Sequence, residues 1–272
     1  MKRFWRAASA RSGDGKKLSA GGFTRLDLLV AAGVLSVLAL WMFYSLVGER
    51  GRTVRCAWNL GALGKAMHRY ANEHGESLPP AGVNVGKYQS SWDLQTFSYL
   101  KPGLSKENNE KLAATVPRFF ACPSDKNSHS GTTRSYAMSS NDMTLQNWPP
   151  GKESATGLGL NWDVQSVSLL LNDEALKQPE SLPGMKLSDI PAPADTVLLT
   201  ELIAPGNFMG SYQMASMSGS ARQTQSLPNG GAGFHLGKLN YLMADGHREL
   251  LSPLQTGAID GTAGIWSMKK GN

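Results

Sequence analysis

Cysteine is scarce: two in 272 residues, Cys56 and Cys122. Neither lies in a CxxC or a Cys/His pattern of metal-ligand spacing, so the spacing supports neither a zinc ribbon nor a redox dithiol motif. A cysteine-rich disulfide scaffold is excluded by the same count. Catalytic signatures are missing too: there is no G-x-S-x-G, no HExxH and no phosphate-binding glycine loop. The chain therefore reads as a non-enzyme. Acidic residues are sparse at the start: residues 1–22 carry six Lys and Arg against Asp14 alone. That flank holds +5 of the net +6, which leaves about +1 for the other 250 residues. A body so nearly neutral lacks the basic surface that nucleic-acid binding needs.

What is present begins with one long apolar run. Leu28 to Val47, LLVAAGVLSVLALWMFYSLV, is twenty residues without a charge. That length crosses a ~30 Å hydrocarbon core at ~1.5 Å per residue. No other uncharged apolar run approaches it. The expectation is a single-pass protein. Basic flanks stay cytoplasmic, so residues 1–22 should face the cytoplasm and the C-terminal bulk should be exported. An exported domain permits a disulfide. The two thiols could be buried and free or bridged, and export favours the bridge.

An ordinary cleaved signal peptide has a shorter apolar core and an A-x-A-like site, and neither is found here. A plain signal anchor fits the length but leaves Gly22-Phe23 and Asp27 unexplained. The stretch GGFTRLDLLV closely resembles the prepilin signal of type IV pilins and type II secretion pseudopilins. In that family a basic leader ends in Gly, cleavage precedes an aromatic residue, and an acid stands fifth in the mature chain. The resemblance implies cleavage between Gly22 and Phe23, methylation of the Phe23 amine, and an assembly role for Asp27. A carboxylate at the edge of a bilayer core is costly unless paired; the implied partner is the α-amine of Phe23 in a neighbouring subunit. This chain departs from the family in having Asp where Glu is usual, and a charged Arg25.

Beyond Val47 the pattern stays helical. Cys56, Leu60, Leu63, Met67, Tyr70 and His74 fall at spacings of 4, 3, 4, 3 and 4, one stripe of a helix, with Arg52, Arg55, Lys65, Arg69 and Glu73 opposite. Gly75 and Pro79-Pro80 mark its end. A helix over 23–74 would run ~78 Å, with Gly48, Gly51, Gly61 and Gly64 as places for it to bend. Further on, 92–100 reads as a short helix, 139–162 as an exposed loop, Thr196–Leu202 as a buried strand and 210–232 as another loop. Asp245-Gly246 signals a hairpin between 239–244 and 247–251.

Two internal motifs extend the resemblance. Arg55-Cys56-x-x-Asn59-Leu60-x-x-Leu63-Gly64 and Phe120-Ala121-Cys122-Pro123-Ser124-Asp125, the latter with Ser135-Tyr136, are similar to a large bacterial subfamily of prepilin-type proteins. Both cysteines lie inside these motifs, which adds to the case for pairing them. His235, ahead of Asp245-Gly246, matches the H-x9-D-G motif of the same subfamily. His235, Asp245, His247 and Glu201 are expected to converge at one end of a sheet. There they either hold a divalent metal or, as the plainer expectation, let His235 bond the turn Asp and fix the hairpin.

The resemblance implies an α+β fold, a long helix packed on an antiparallel sheet with long loops. The implied organisation is a leader (1–22), a transmembrane helix (23–50), its extramembrane continuation (51–75) and an exported domain (76–272). Expected partners are a prepilin peptidase/methyltransferase, other pilin-like subunits and the bacterial inner membrane. No cofactor is expected apart from that metal. The competing expectation is a membrane-anchored binding domain, outside any filament, that takes a ligand or metal near His235 and Asp245.

Overall fold

A computed structural model describes residues 24–100, 117–141, 157–217, 235–257 and 264–268. Gly22 and Phe23, with the whole leader, lie outside the described residues. So do 142–156 and 218–234, which hold most of the two expected loops.

One helix, α1 (Arg25–Glu73), crosses between two compact units, the first ending at Ser45 and the second beginning at Leu46. In the first unit every side chain from Leu28 to Ser45 is exposed. No pattern of burial is needed there, because the run is apolar on all faces. This is a helix apolar and long enough to be a membrane anchor or a signal sequence. Its N-terminus is closed locally. Thr24 Oγ1 accepts from the Asp27 amide at 3.2 Å, and Asp27 accepts from the Thr24 amide at 2.9 Å and hydroxyl at 2.8 Å, a reciprocal capping box.

In the second unit α1 becomes amphipathic. Cys56, Leu60, Leu63 and Met67 are fully buried. The stripe stops short of its expected end: Tyr70 is half-buried and His74 exposed, and their rings stack on each other at 3.8 Å instead. The helix closes when Glu76 donates to Ala71 across Gly75 (φ 62°), the left-handed C-terminal cap. The helix is uninterrupted at its glycines. Gly61 and Gly64 serve close approach: a Cβ at Gly64 would stand 2.8 Å from Leu242.

Two sheets follow. A small one has the order β2-β1-β4, from β1 (Gly82–Val85), β2 (Tyr88–Ser91) and β4 (Asn161–Asp163). The larger has the order β6-β3-β5-β7-β8, from β3 (Tyr136–Ser139), β5 (Val197–Glu201), β6 (Ser216–Met217), β7 (Leu239–Met243) and β8 (Arg248–Leu251). Pairing is antiparallel except for β1 with β4 and β3 with β6, which are parallel. The fold is thus α+β and antiparallel-rich, with two sheets where one was expected. Residues 157–160 are buried and Asn161–Asp163 is a strand, which corrects the exposed loop expected over 139–162. Its glycines admit close approach: Gly159 packs between the side chains of Ala81 and Met138, and a Cβ there would stand 2.9 Å from each. Within the described first part of the loop expected over 210–232, Ser216–Met217 is likewise a buried strand.

β5 and β7 are buried along their full length, as central strands covered on both faces are. Alternation divides their side chains. Leu242 faces α1 at Gly64, and Tyr241 turns the other way onto Trp266, ring centroids 6.3 Å apart. Leu199 pairs with Leu242, so Glu201, two residues on, also points toward α1.

Candidate functional site

Helix α1 is tied to the segment that precedes β3 by a disulfide. Cys56 of α1 and Cys122 are bonded, with Cα atoms 5.2 Å apart. Cys122 follows a helical turn, Pro117–Phe120, and its surroundings explain the second motif. Ser135 Oγ accepts from the Cys122 amide at 3.0 Å and donates to Asp125 at 2.7 Å, while the Ser135 amide donates to Phe120 at 2.7 Å. Asn59, from the first motif, donates to the Arg118 and Ala121 carbonyls at 3.0 Å each. The two motifs are therefore the two sides of one joint around the disulfide.

His235 sits against that joint. Its side chain is fully buried, and its backbone is left-handed: φ is 39° at His235 and 61° at Leu236. Non-glycine residues hold that conformation only where surrounding contacts impose it. The contacts are several. Nε2 lies 2.8 Å from Glu201 Oε1 and 3.5 Å from Cys122 Sγ. Nδ1 lies 2.9 Å from Thr53 Oγ1 and 3.2 Å from Glu49 Oε1. Both carboxylates are held in turn. Asn240 donates its amide to Glu201 Oε2 at 2.8 Å and its side chain to Oε1 at 3.2 Å; Ser124 donates to Glu49 at 2.9 Å, and Arg52 pairs with Glu49 from the neighbouring turn of α1. Burial alone would push the His235 imidazole down, but the Glu201 carboxylate, then Glu49, outweigh it and hold it above its usual value.

Asp245 and His247 do not join this set. The hairpin forms as expected, with Leu242 opposite Arg248 and Gly246 at φ 94°. Its turn lies five residues past Asn240, roughly 16 Å along the strand at ~3.3 Å per residue. Asp245 pairs there with His247, Nδ1 to Oδ1 at 2.6 Å, and Glu249 lies 3.3 Å from the other ring nitrogen. The expected convergence of His235, Asp245, His247 and Glu201 thus divides in two. The turn Asp is fixed by His247, and His235 engages Glu201 and Glu49.

Reading the sequence missed Glu49, Thr53 and Asn240. Glu49 is the first acid after the apolar run, a position that reads as a membrane flank. It missed a second buried ion pair as well. Arg134 and Asp93 are both fully buried and 2.6 Å apart, and Arg134 also donates to Asn207 Oδ1 at 2.7 Å and to the Ser211 carbonyl at 2.6 Å. This network has no solvent access and reads as structural. Among the described residues, clefts of about 390 and 810 Å³ open on the surface, and neither of these is lined by His235 or Glu201.

No protein-family model matches the chain, and no curated protein or solved structure is found to be similar to it.

Proposed function

We propose that the chain is a pilin-like structural subunit. One observation carries the reading: a single helix, Arg25–Glu73, is apolar and exposed along its first part and docked by a buried stripe onto an antiparallel-rich α+β domain along its second. That layout is compatible with the pilin plan, and the segment ahead of it resembles a prepilin signal. On this reading a prepilin peptidase cuts after Gly22 and the Phe23 amine is methylated. Subunits then polymerise through α1 into a type II secretion pseudopilus or a type IV pilus-like filament. The driving force is helix packing at the apolar face.

Asp27 sets register in that assembly. In the isolated chain its carboxylate is satisfied by Thr24. Once Phe23 is the N-terminus, a neighbour's amine offers a charge partner that only a correctly stepped subunit can supply, and an unpaired charge near the bilayer core is costly. Asp27→Ala should leave the exported domain folded and membrane-inserted but abolish incorporation, read by filament shearing and cross-linking in the native cell. Unchanged incorporation would exclude the register role.

A second reading, an anchored binding domain outside any filament, draws on the buried donors around His235. It expects indifference to Asp27→Ala and loss of function on substitution of His235.

A further inference from the structure

The disulfide, His235 and Glu201 occupy one buried locus. The two Sγ atoms, one ring nitrogen of His235 and one carboxylate oxygen of Glu201 all lie within 4.8 Å of one another. We propose that in the dithiol state these four side chains bind zinc(II), so that metal and disulfide are alternative occupants of the same joint.

The donor set is two thiolates, one imidazole and one carboxylate, the mixed S/N/O chemistry that zinc takes in tetrahedral sites. The spacing suits it. With Zn–S of ~2.3 Å and Zn–N of ~2.0 Å, a tetrahedral edge from S to N is about 3.5 Å. Cys122 Sγ and His235 Nε2 are 3.5 Å apart already. The Nε2 to Glu201 contact of 2.8 Å has to widen by only about half an ångström to become a zinc edge. The sulfurs need side-chain rotation from bonding distance, and Cα atoms 5.2 Å apart allow it.

The supporting groups are the second argument. A zinc-bound His ordinarily has its other ring nitrogen hydrogen-bonded to a carboxylate or similar acceptor, which fixes the ring and raises its basicity. Here Glu49 and Thr53 stand on Nδ1, and Nε2 faces the sulfurs and Glu201. Asn240 holds the other Glu201 oxygen at 2.8 Å, leaving Oε1 turned toward the locus. The contacts that hold the ring there are strong enough to keep His235 and Leu236 in the left-handed backbone. An ordinary buried disulfide needs none of these groups.

Interconversion balances with a dithiol partner. The partner's two thiols become its disulfide, and their two electrons and two protons convert Cys56–Cys122 to two thiols. Zinc then displaces both thiol protons and the proton on Nε2, with no change in its own oxidation state. Oxidation of the thiolates by a disulfide-bearing partner expels the metal. Metal would thus hold α1 on the sheet before the bridge forms or after it is reduced. This proposal is independent of whether the chain enters a filament, since every ligand lies within the second unit.

The test uses the full chain in detergent, reduced with a phosphine under anaerobic conditions, freed of reductant, and titrated with zinc or cobalt(II) alone. The reduced chain should bind one zinc per chain, and its cobalt form should show thiolate-to-metal charge-transfer absorption. The oxidised chain should bind none. Glu49→Gln should weaken zinc binding about 10–100-fold while keeping the thiolate bands, with partial recovery in Glu49→Asp. Asp245→Asn, at the distant turn, should bind as the parent does. Equal zinc binding by oxidised and reduced chains, or a cobalt spectrum without thiolate bands, would overturn the proposal. So would a reduced chain that neither holds its tryptophan environment nor regains it with zinc.

Discussion

Reducing the Cys56–Cys122 bridge opens a loop closed between positions 66 residues apart. In the chain-entropy account, a loop of that length removes about 15 cal/mol/K from the unfolded state, or about 4 kcal/mol at 25 °C. The folded state should change little, because helix α1 is also held by Leu60, Leu63 and Met67. The assay is urea unfolding of the full chain in detergent, with chelator present so that only the bridge varies. Buried Trp92, Trp162 and Trp266 report the transition. With a urea slope of ~2–3 kcal/mol/M, the midpoint should fall by roughly 1.5–2 M. The Cys56→Ala/Cys122→Ala variant should fall by at least as much and should not respond to reductant. A shift below about 0.5 M on reduction would refute the reasoning, since it would mean that the bridge constrains nothing the unfolded chain does not already avoid.

The other predictions concern packing and charge. Gly64→Ala places a methyl 2.8 Å from Leu242 and should cost about 1–3 kcal/mol, whereas Gly51→Ala, with nothing within 4 Å, should gain up to about 1 kcal/mol; urea midpoints decide both. Arg134→Met strands the fully buried Asp93 and should cost about 3–5 kcal/mol, most of it recovered by adding Asp93→Leu. The hairpin turn should show a pH window. His247 is held above its ordinary value because Asp245 and Glu249 outweigh burial, so its contribution is complete below about pH 6.5 and fades as pH rises through the folded value. Asp245 is held low because bonds from His247 outweigh burial, so its contribution is present above about pH 4 and fades below. Between those limits His247→Gln should lose stability, by no more than about 1 kcal/mol for so exposed a pair, and above the window the two chains should converge.

The helix, its apolar run and its docking stripe were legible because a 3.6-residue period records which face is buried. The stripe failed at Tyr70 and His74, where the rings found each other on the surface instead of a sheet to cover them. The Asp-Gly hairpin was legible from turn chemistry alone. The buried segment at 157–163 was not. Glycine and asparagine there look like loop composition, but Gly157 and Gly159 are glycines because neighbouring backbone and side chains leave no room for a Cβ. The locus around His235 was half visible. Glu201 and His235 were singled out, but their partners come from positions 34, 113 and 186 residues away, and no local spacing encodes such pairings. Asp245 and His247 were grouped with them because all four lie in or beside neighbouring strands, and only the register shows that they flank opposite ends of β7.

The account's central claim is that the chain is a processed, pilin-like subunit. Intact-mass and N-terminal peptide mass spectrometry on the membrane fraction of the native cell tests it most directly. The account predicts a mature chain that begins at Phe23, its α-amine carrying one added methyl. A chain that retains residues 1–22 would contradict it, and would leave an anchored domain whose role lies with the donors around His235.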